Sequence, residues 1–175
     1  MSNEKTIKSH ERDLYEPIKE YLVKSFTQKF GNCCLEITAE RVFSPTLKSV
    51  VRHDIIFYFL RKKAPDLVGF VARRQSGWDA SFVPSIVQDY ITVEIKKDKI
   101  ELKDIYQAKM YGDLFQAKYA LLISPERIPE EIRRLDQNTY VTRRYMSGWC
   151  VHVGHWVSTV NRIEQNWLPR SPFQD

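Results

Sequence analysis

The sequence predicts an α/β fold, a mixed β-sheet with helices packed on it. Three observations carry that reading. Segments of helical and strand period follow one another in the order helix, strands, helix, strand, helix, strand. The length, 175 residues, suits one hydrophobic core. The composition, 43% hydrophobic and 28% charged, is globular and excludes collagen, coiled coil and wholesale disorder. No repeat, low-complexity tract or Gly/Ser/Pro linker divides the chain, so residues 1–175 read as a single domain. Six glycines, with neither GxGxxG nor GxxxxGK[ST], argue against a glycine-rich phosphate loop.

The spacing predicts a first helix over 11–27, where Leu14, Ile18, Leu22 and Phe26 recur every fourth residue. Pro17 suits only its first turn, and Gly31-Asn32 stops it. Cys33–Phe43 alternates as a strand. Pro45–Lys63 reads two ways: its middle, Ile55–Phe59, is β-rich, yet a helix from Thr46 also fits. A strand over Ala64–Ala72 follows Pro65-Asp66. A polar connection with Gly77 and Trp78 leads to a second strand, Ile86–Lys97. A helix over Leu102–Lys118 precedes the apolar strand Tyr119–Ser124. Pro129 opens another helix, with acids early and arginines late, as the helix dipole favours. Gly148–Val157 reads as a strand and Val160–Leu168 as a short helix. Trp149, Trp156 and Trp167 are expected in the core or at an oligomer contact.

No apolar run approaches the ~20 residues of a membrane span, and no signal-like stretch follows Met1, so the expected address is cytoplasmic. Cys33, Cys34 and Cys150 form no CxxC and read as buried thiols. His152 and His155 read as structural. The net charge is +5 and the distribution is uneven. Lys48, Arg52, Arg61, Lys62, Lys63, Arg73 and Arg74 face only Asp54 and Asp66 between Pro45 and Arg74. Arg127, Arg133, Arg134, Arg143 and Arg144 form a second group. Such clusters attract a phosphate backbone, and equally suit a solvated surface.

The chemistry centres on Tyr90–Lys97. On a strand, Ile91, Val93 and Ile95 share one face, and Thr92, Glu94 and Lys96 the other. Charges on so apolar a strand need partners or a site. If the strand opened by Asp66 pairs beside it, two carboxylates and a lysine converge. Hard cations such as Mg²⁺ take one or two carboxylates plus water and substrate phosphate. Such a metal activates water and stabilises phosphoryl charge, and a lysine can position the water or offset developing charge.

Pro65-Asp66 followed by Glu94-Ile95-Lys96 resembles the signature of the PD-(D/E)xK nucleases. This superfamily includes type II restriction enzymes, Holliday-junction resolvases and RecB-type nuclease domains. Gln107-Ala108-Lys109-Met110-Tyr111 resembles the Gln-x-x-x-Tyr motif of the RecB-like branch, and Tyr119–Ser124 its next core strand. The likeness spans about residues 11–135, leaving 136–175 as an extension. Asp66 and Glu94 are 28 apart, long for a hairpin, with a loop insertion around Gln75–Pro84 absorbing the difference.

The resemblance implies a restriction-endonuclease-like fold and Mg²⁺- or Mn²⁺-dependent hydrolysis of DNA. It implies that Asp66, Glu94 and the Ile95 backbone carbonyl hold the metal. Lys96 would orient or activate water, and Gln107 would support the metal–water cluster or a phosphate. The first-helix acid of the family is Glu11 or Glu16, with Glu11 preferred because it lies on the apolar stripe. Arg61, Lys62, Lys63, Arg73, Arg74 and Tyr111 would contact nucleic acid. A homodimer is allowed, since many relatives pair. The alternative is a catalytically inactive nucleic-acid-binding or assembly module of the same fold.

Overall fold

A computed structural model describes residues 10–74, 86–144 and 148–174, with no side-chain description for 73, 74 and 86–88. The polar connection with Gly77 and Trp78 lies outside the described residues. Chain order is a 3₁₀ turn Glu11–Leu14, α1 Tyr15–Phe30, β1 Asn32–Ile37, α2 Pro45–Val50, α3 Ile55–Phe59, β2 Leu67–Arg74 and β3 Ile86–Ile95. There follow α4 Leu102–Leu114, β4 Tyr119–Ser124, α5 Glu130–Thr139, β5 Val151–Val157 and β6 Arg162–Ile163. The six strands form one mixed sheet in sequence order. β1–β2–β3 is an antiparallel meander, β3, β4 and β5 run parallel, and β6 returns antiparallel. No helix among the described residues is long and apolar enough to cross a membrane.

Strand parity explains the layers. Ile91, Val93 and Ile95 on β3, with Leu121 and Ile123 on β4, pack against Ile18, Leu22 and Phe26 of α1. The opposite faces of β4 and β5, through Ala120, Leu122, Val151 and Val153, pack against Ile105 and Ala108 of α4 and Ile132 of α5. α1 keeps Pro17 in its first turn, where no helical N–H is lost. It stops at Gly31, whose φ of 129° suits glycine. Leu67 pairs Val93 in the β2–β3 register. Asp66, just before β2, therefore enters the sheet beside Glu94.

Several expectations need correction. Of the two readings of Pro45–Lys63 the helical one holds, and the β-rich middle gives way to a second short helix. Ser44 caps α2 by accepting from the Leu47 N–H, Pro45 fills the first helical position, and Ile55–Phe59 is a helix. Five apolar residues are too few for their period to declare itself. The first strand ends at Ile37, not Phe43, because Thr38 turns to pair with Asp66 and Pro65. The tail forms a turn and the two-residue β6, not a helix, and Leu168 bridges to Val153. α4 stops at Leu114 because Gln116 turns left-handed, φ 48°, and the Ala117 N–H closes onto Gly112 O.

Candidate active site

The end of β3 is where the sheet's two sides meet. Glu94 points to the α4 face and is 4% exposed. Its Oε1 accepts from Lys96 Nζ at 2.8 Å and from Gln107 Nε2. Its Oε2 is buried and meets no donor. Asp66, 7% exposed, is held from the other side. Its Oδ1 accepts from the Tyr15 hydroxyl at 2.9 Å and its Oδ2 from the Ile95 N–H at 2.7 Å. The Tyr15 hydroxyl also lies 3.2 Å from Glu11 Oε1. Glu11, Asp66, Glu94, Lys96 and Gln107 all line one cavity of about 320 Å³, together with Arg41, Lys62 and Lys63.

Each side chain has a local reason for its place. Glu94 and Lys96 share a strand face by parity, and their ion pair spans that alternate spacing. Gln107 lies one turn before Tyr111 on α4. Gly112 lets α4 approach the sheet, since a Cβ there would sit 2.8 Å from the Ala120 side chain. Gln107 Oε1 accepts from Lys63 Nζ at 3.0 Å, so one amide links the carboxylate to an exposed cation.

The electrostatics set two crowded, buried carboxylates against one lysine. Burial, then the charge of Asp66, pushes the Glu94 carboxyl up to about 7. Burial also raises Asp66, against the lowering hydrogen bonds from Ile95 and Tyr15. Burial alone would lower the Lys96 ammonium. Its hydrogen bond and ion pair with Glu94, helped by Asp104 and Asp66, outweigh that and raise it. Asp104 stands 3.8 Å away. Lys96 is therefore a standing cation and a poor proton acceptor. Burial and Asp66 raise Tyr15, which stays protonated as a donor.

Among the described residues no group of three or more His, Cys, Asp or Glu forms a ready metal cluster. The Asp66–Glu94 pair stands below that count, as do Mg²⁺ sites completed by water and phosphate. The orphaned Glu94 Oε2, in an oxygen-only donor set, fits a hard divalent cation.

The candidate residues divide. Glu11 lines the cavity, whereas Glu16 pairs with Lys19 at the surface. Lys62 and Lys63 border the cavity and Arg61 is exposed beside it. The side chains of Arg73 and Arg74 lie outside the described set. Tyr111 is corrected: it is 1% exposed, packed with Val68, Phe70 and Phe115, and supports the site from below instead of touching nucleic acid. Arg144 is also corrected. It is buried, donating to Asp113 Oδ1 at 2.7 Å and to Ala117 O, so it fastens the fold and offers nothing to a phosphate. His152 and His155 point to opposite faces of β5. His152 meets Arg170 O at 2.9 Å, and His155 meets Pro125 O at 3.0 Å and Glu164 at 2.9 Å. Trp156 and Trp167 are buried in the core.

Tyr15 is the site residue that sequence reasoning missed. Its signal was available: it lies four residues after Glu11, so the two share a helical face. Comparison with protein-family models, curated proteins and solved structures gave no significant match.

Proposed function

We propose that this chain is a metal-dependent nuclease of restriction-endonuclease-like fold that hydrolyses DNA phosphodiester bonds. The observation that carries the reading is the buried Glu94 Oε2, left without a partner beside Asp66, Lys96 and Gln107 at one cavity. Support also comes from topology. An antiparallel β1–β2–β3 meander delivers Asp66 and Glu94, and α4 then crosses to parallel β4.

Asp66 and Glu94 would hold Mg²⁺ or Mn²⁺, with the Ile95 backbone beside them. When bound, the metal supplies charge neutralisation and a more acidic water. Tyr15 fixes Asp66 by hydrogen bonding, and Glu11 adds an acid at the cavity wall. Lys96, held charged, orients the water or offsets charge as it builds on the phosphoryl oxygens. Gln107 and Lys96 hold Glu94 Oε1, which leaves the capacity of Oε2 for a cation. Lys62 and Lys63 attract the phosphate backbone.

The test is cleavage of plasmid, branched and single-stranded DNA by the full chain with Mg²⁺ or Mn²⁺, beside calorimetric Mn²⁺ binding. Wild type should cut with metal and stop in chelator, and Glu94→Ala should lose both cutting and metal binding. A wild type that cuts none of these substrates makes the non-catalytic binding module the better account.

A further inference from the structure

The outward face of α3 plays no part in the chemistry above. Ile55, Tyr58 and Phe59 are 59%, 60% and 64% exposed. They stand at i, i+3 and i+4, so they form one apolar stripe. The buried face of this short helix is different, made by Ile56 with Leu60 just beyond it. A contiguous exposed apolar stripe is a candidate binding surface.

Its surroundings say what would bind. A cavity of about 410 Å³ opens beside the stripe, lined by Arg41, Lys48, Phe57, Tyr58 and Arg61 among others, with Asp54 the lone acid. The Arg61 guanidinium stands 5.1 Å above the Tyr58 ring. Arg41 donates to the Arg61 carbonyl at 3.1 Å and also lines the carboxylate cavity, so the two cavities share a wall. Lys62 and Lys63 follow Arg61 directly and reach the carboxylate side. Aromatic faces bordered by cations are the chemistry of single-stranded nucleic acid: bases stack on rings while the phosphates track the cations. A duplex keeps its base faces covered and can use only the cations.

We propose that α3, with Arg41 and Arg61, is a stacking platform for unpaired bases that leads a single strand into the carboxylate cavity. This rests on the nuclease reading for its direction, and narrows the substrate to DNA unpaired beside the scissile bond. Because every base has a π-face, the platform is sequence-tolerant.

The experiment is fluorescence-anisotropy binding of the full chain, in chelator, to a labelled oligothymidylate and to a blunt duplex of equal length. Wild type should bind the single strand more tightly. The double variant Tyr58→Ala/Phe59→Ala should lose about tenfold or more in single-strand affinity while its duplex affinity and thermal melting stay unchanged. Tyr58→Trp should keep binding. Equal affinity of wild type for both DNAs, an unaffected double variant, or no polynucleotide binding at all overturns the platform. In the last case the stripe is left to a protein partner. Binding in chelator is independent of cutting. A wild type that cuts DNA but binds without Tyr58 and Phe59 loses only the platform. One that binds single strands through them but cuts nothing loses only the nuclease reading.

Discussion

Helix α4 touches two ionic groups, each with a buried member, and they are built to opposite ends. Along its middle, Gln107 meets Glu94, which Lys96 also holds. At its end, Asp113 meets Arg144. The Arg144 group is closed: the guanidinium donates to Asp113 and Ala117 O and stacks 5.5 Å from the Trp149 ring. Nearby Asp136 accepts from both the N–H and the hydroxyl of Thr142. The Glu94 group is open: one carboxylate oxygen has no donor, and a second carboxylate lies close enough to raise its proton affinity. Burial of charge is thus no sign of function by itself. An unpartnered carboxylate oxygen, next to a second carboxylate at one cavity, is what points to a ligand.

The largest expected effect separates the lysine from the metal. Lys96→Ala should slow cleavage by roughly 10²–10³-fold, as removal of one preorganised charge does, while leaving Mn²⁺ binding largely intact because the lysine is no ligand. Single-turnover kinetics beside calorimetry reads both; normal cutting by the variant would refute the role given to Lys96.

Next comes the closed group. Arg144→Met should cost about 2 kcal/mol, because it leaves the buried Ala117 carbonyl without its donor while the half-exposed Asp113 keeps its water. Urea unfolding measures it, and the cleavage rate per folded molecule should not change. A lost rate with an unaltered midpoint would erase the contrast between the two groups.

His152 adds a pH test on the closed side. Burial, then the Arg170 and Arg144 charges, lowers its imidazole from 6.5 to about 4. The folded pKa lies below the unfolded one, so the unfolded chain binds the extra proton in that window. This contribution is whole above pH 6.5 and is lost as pH falls toward 4, by up to about 3 kcal/mol. Denaturation at stepped pH should show the loss in wild type and less of it in His152→Gln.

The smallest effect on stability has the reverse sign. Glu94→Gln should abolish metal-dependent cutting yet stabilise the metal-free protein by about 1 kcal/mol, because a neutral amide replaces a buried carboxylate that Asp66 crowds and whose Oε2 has no partner. A destabilised Glu94→Gln would mean that the carboxylate is as well matched as Asp113, and that the open group is structural.

Parity and period made much of the site legible. Alternation along Tyr90–Lys96 separated Ile91, Val93 and Ile95 from Glu94 and Lys96, and the four-residue spacing joined Gln107 to Tyr111. Neither needs more than local geometry. The segment 45–63 was opaque because α2 and α3 are short, and the second apolar face of α3 blurs the helical pattern. The arginines near 127–144 looked alike because charge in sequence carries no burial: Arg127 and Arg143 are exposed and Arg144 is not.

Residue pattern alone therefore yielded the element order outside 45–63 and the tail, the face each β3 side chain takes, and the residue types able to hold a hard cation. These follow from backbone period and donor chemistry, which are local. Only the tertiary structure decided that Asp66 is braced by Tyr15 and the Ile95 N–H, that Tyr111 lies beneath the site, and that Glu94 Oε2 is left over. Those outcomes depend on β2–β3 register and on how closely α1 and α4 approach the sheet. Distance and desolvation exist only once remote segments meet.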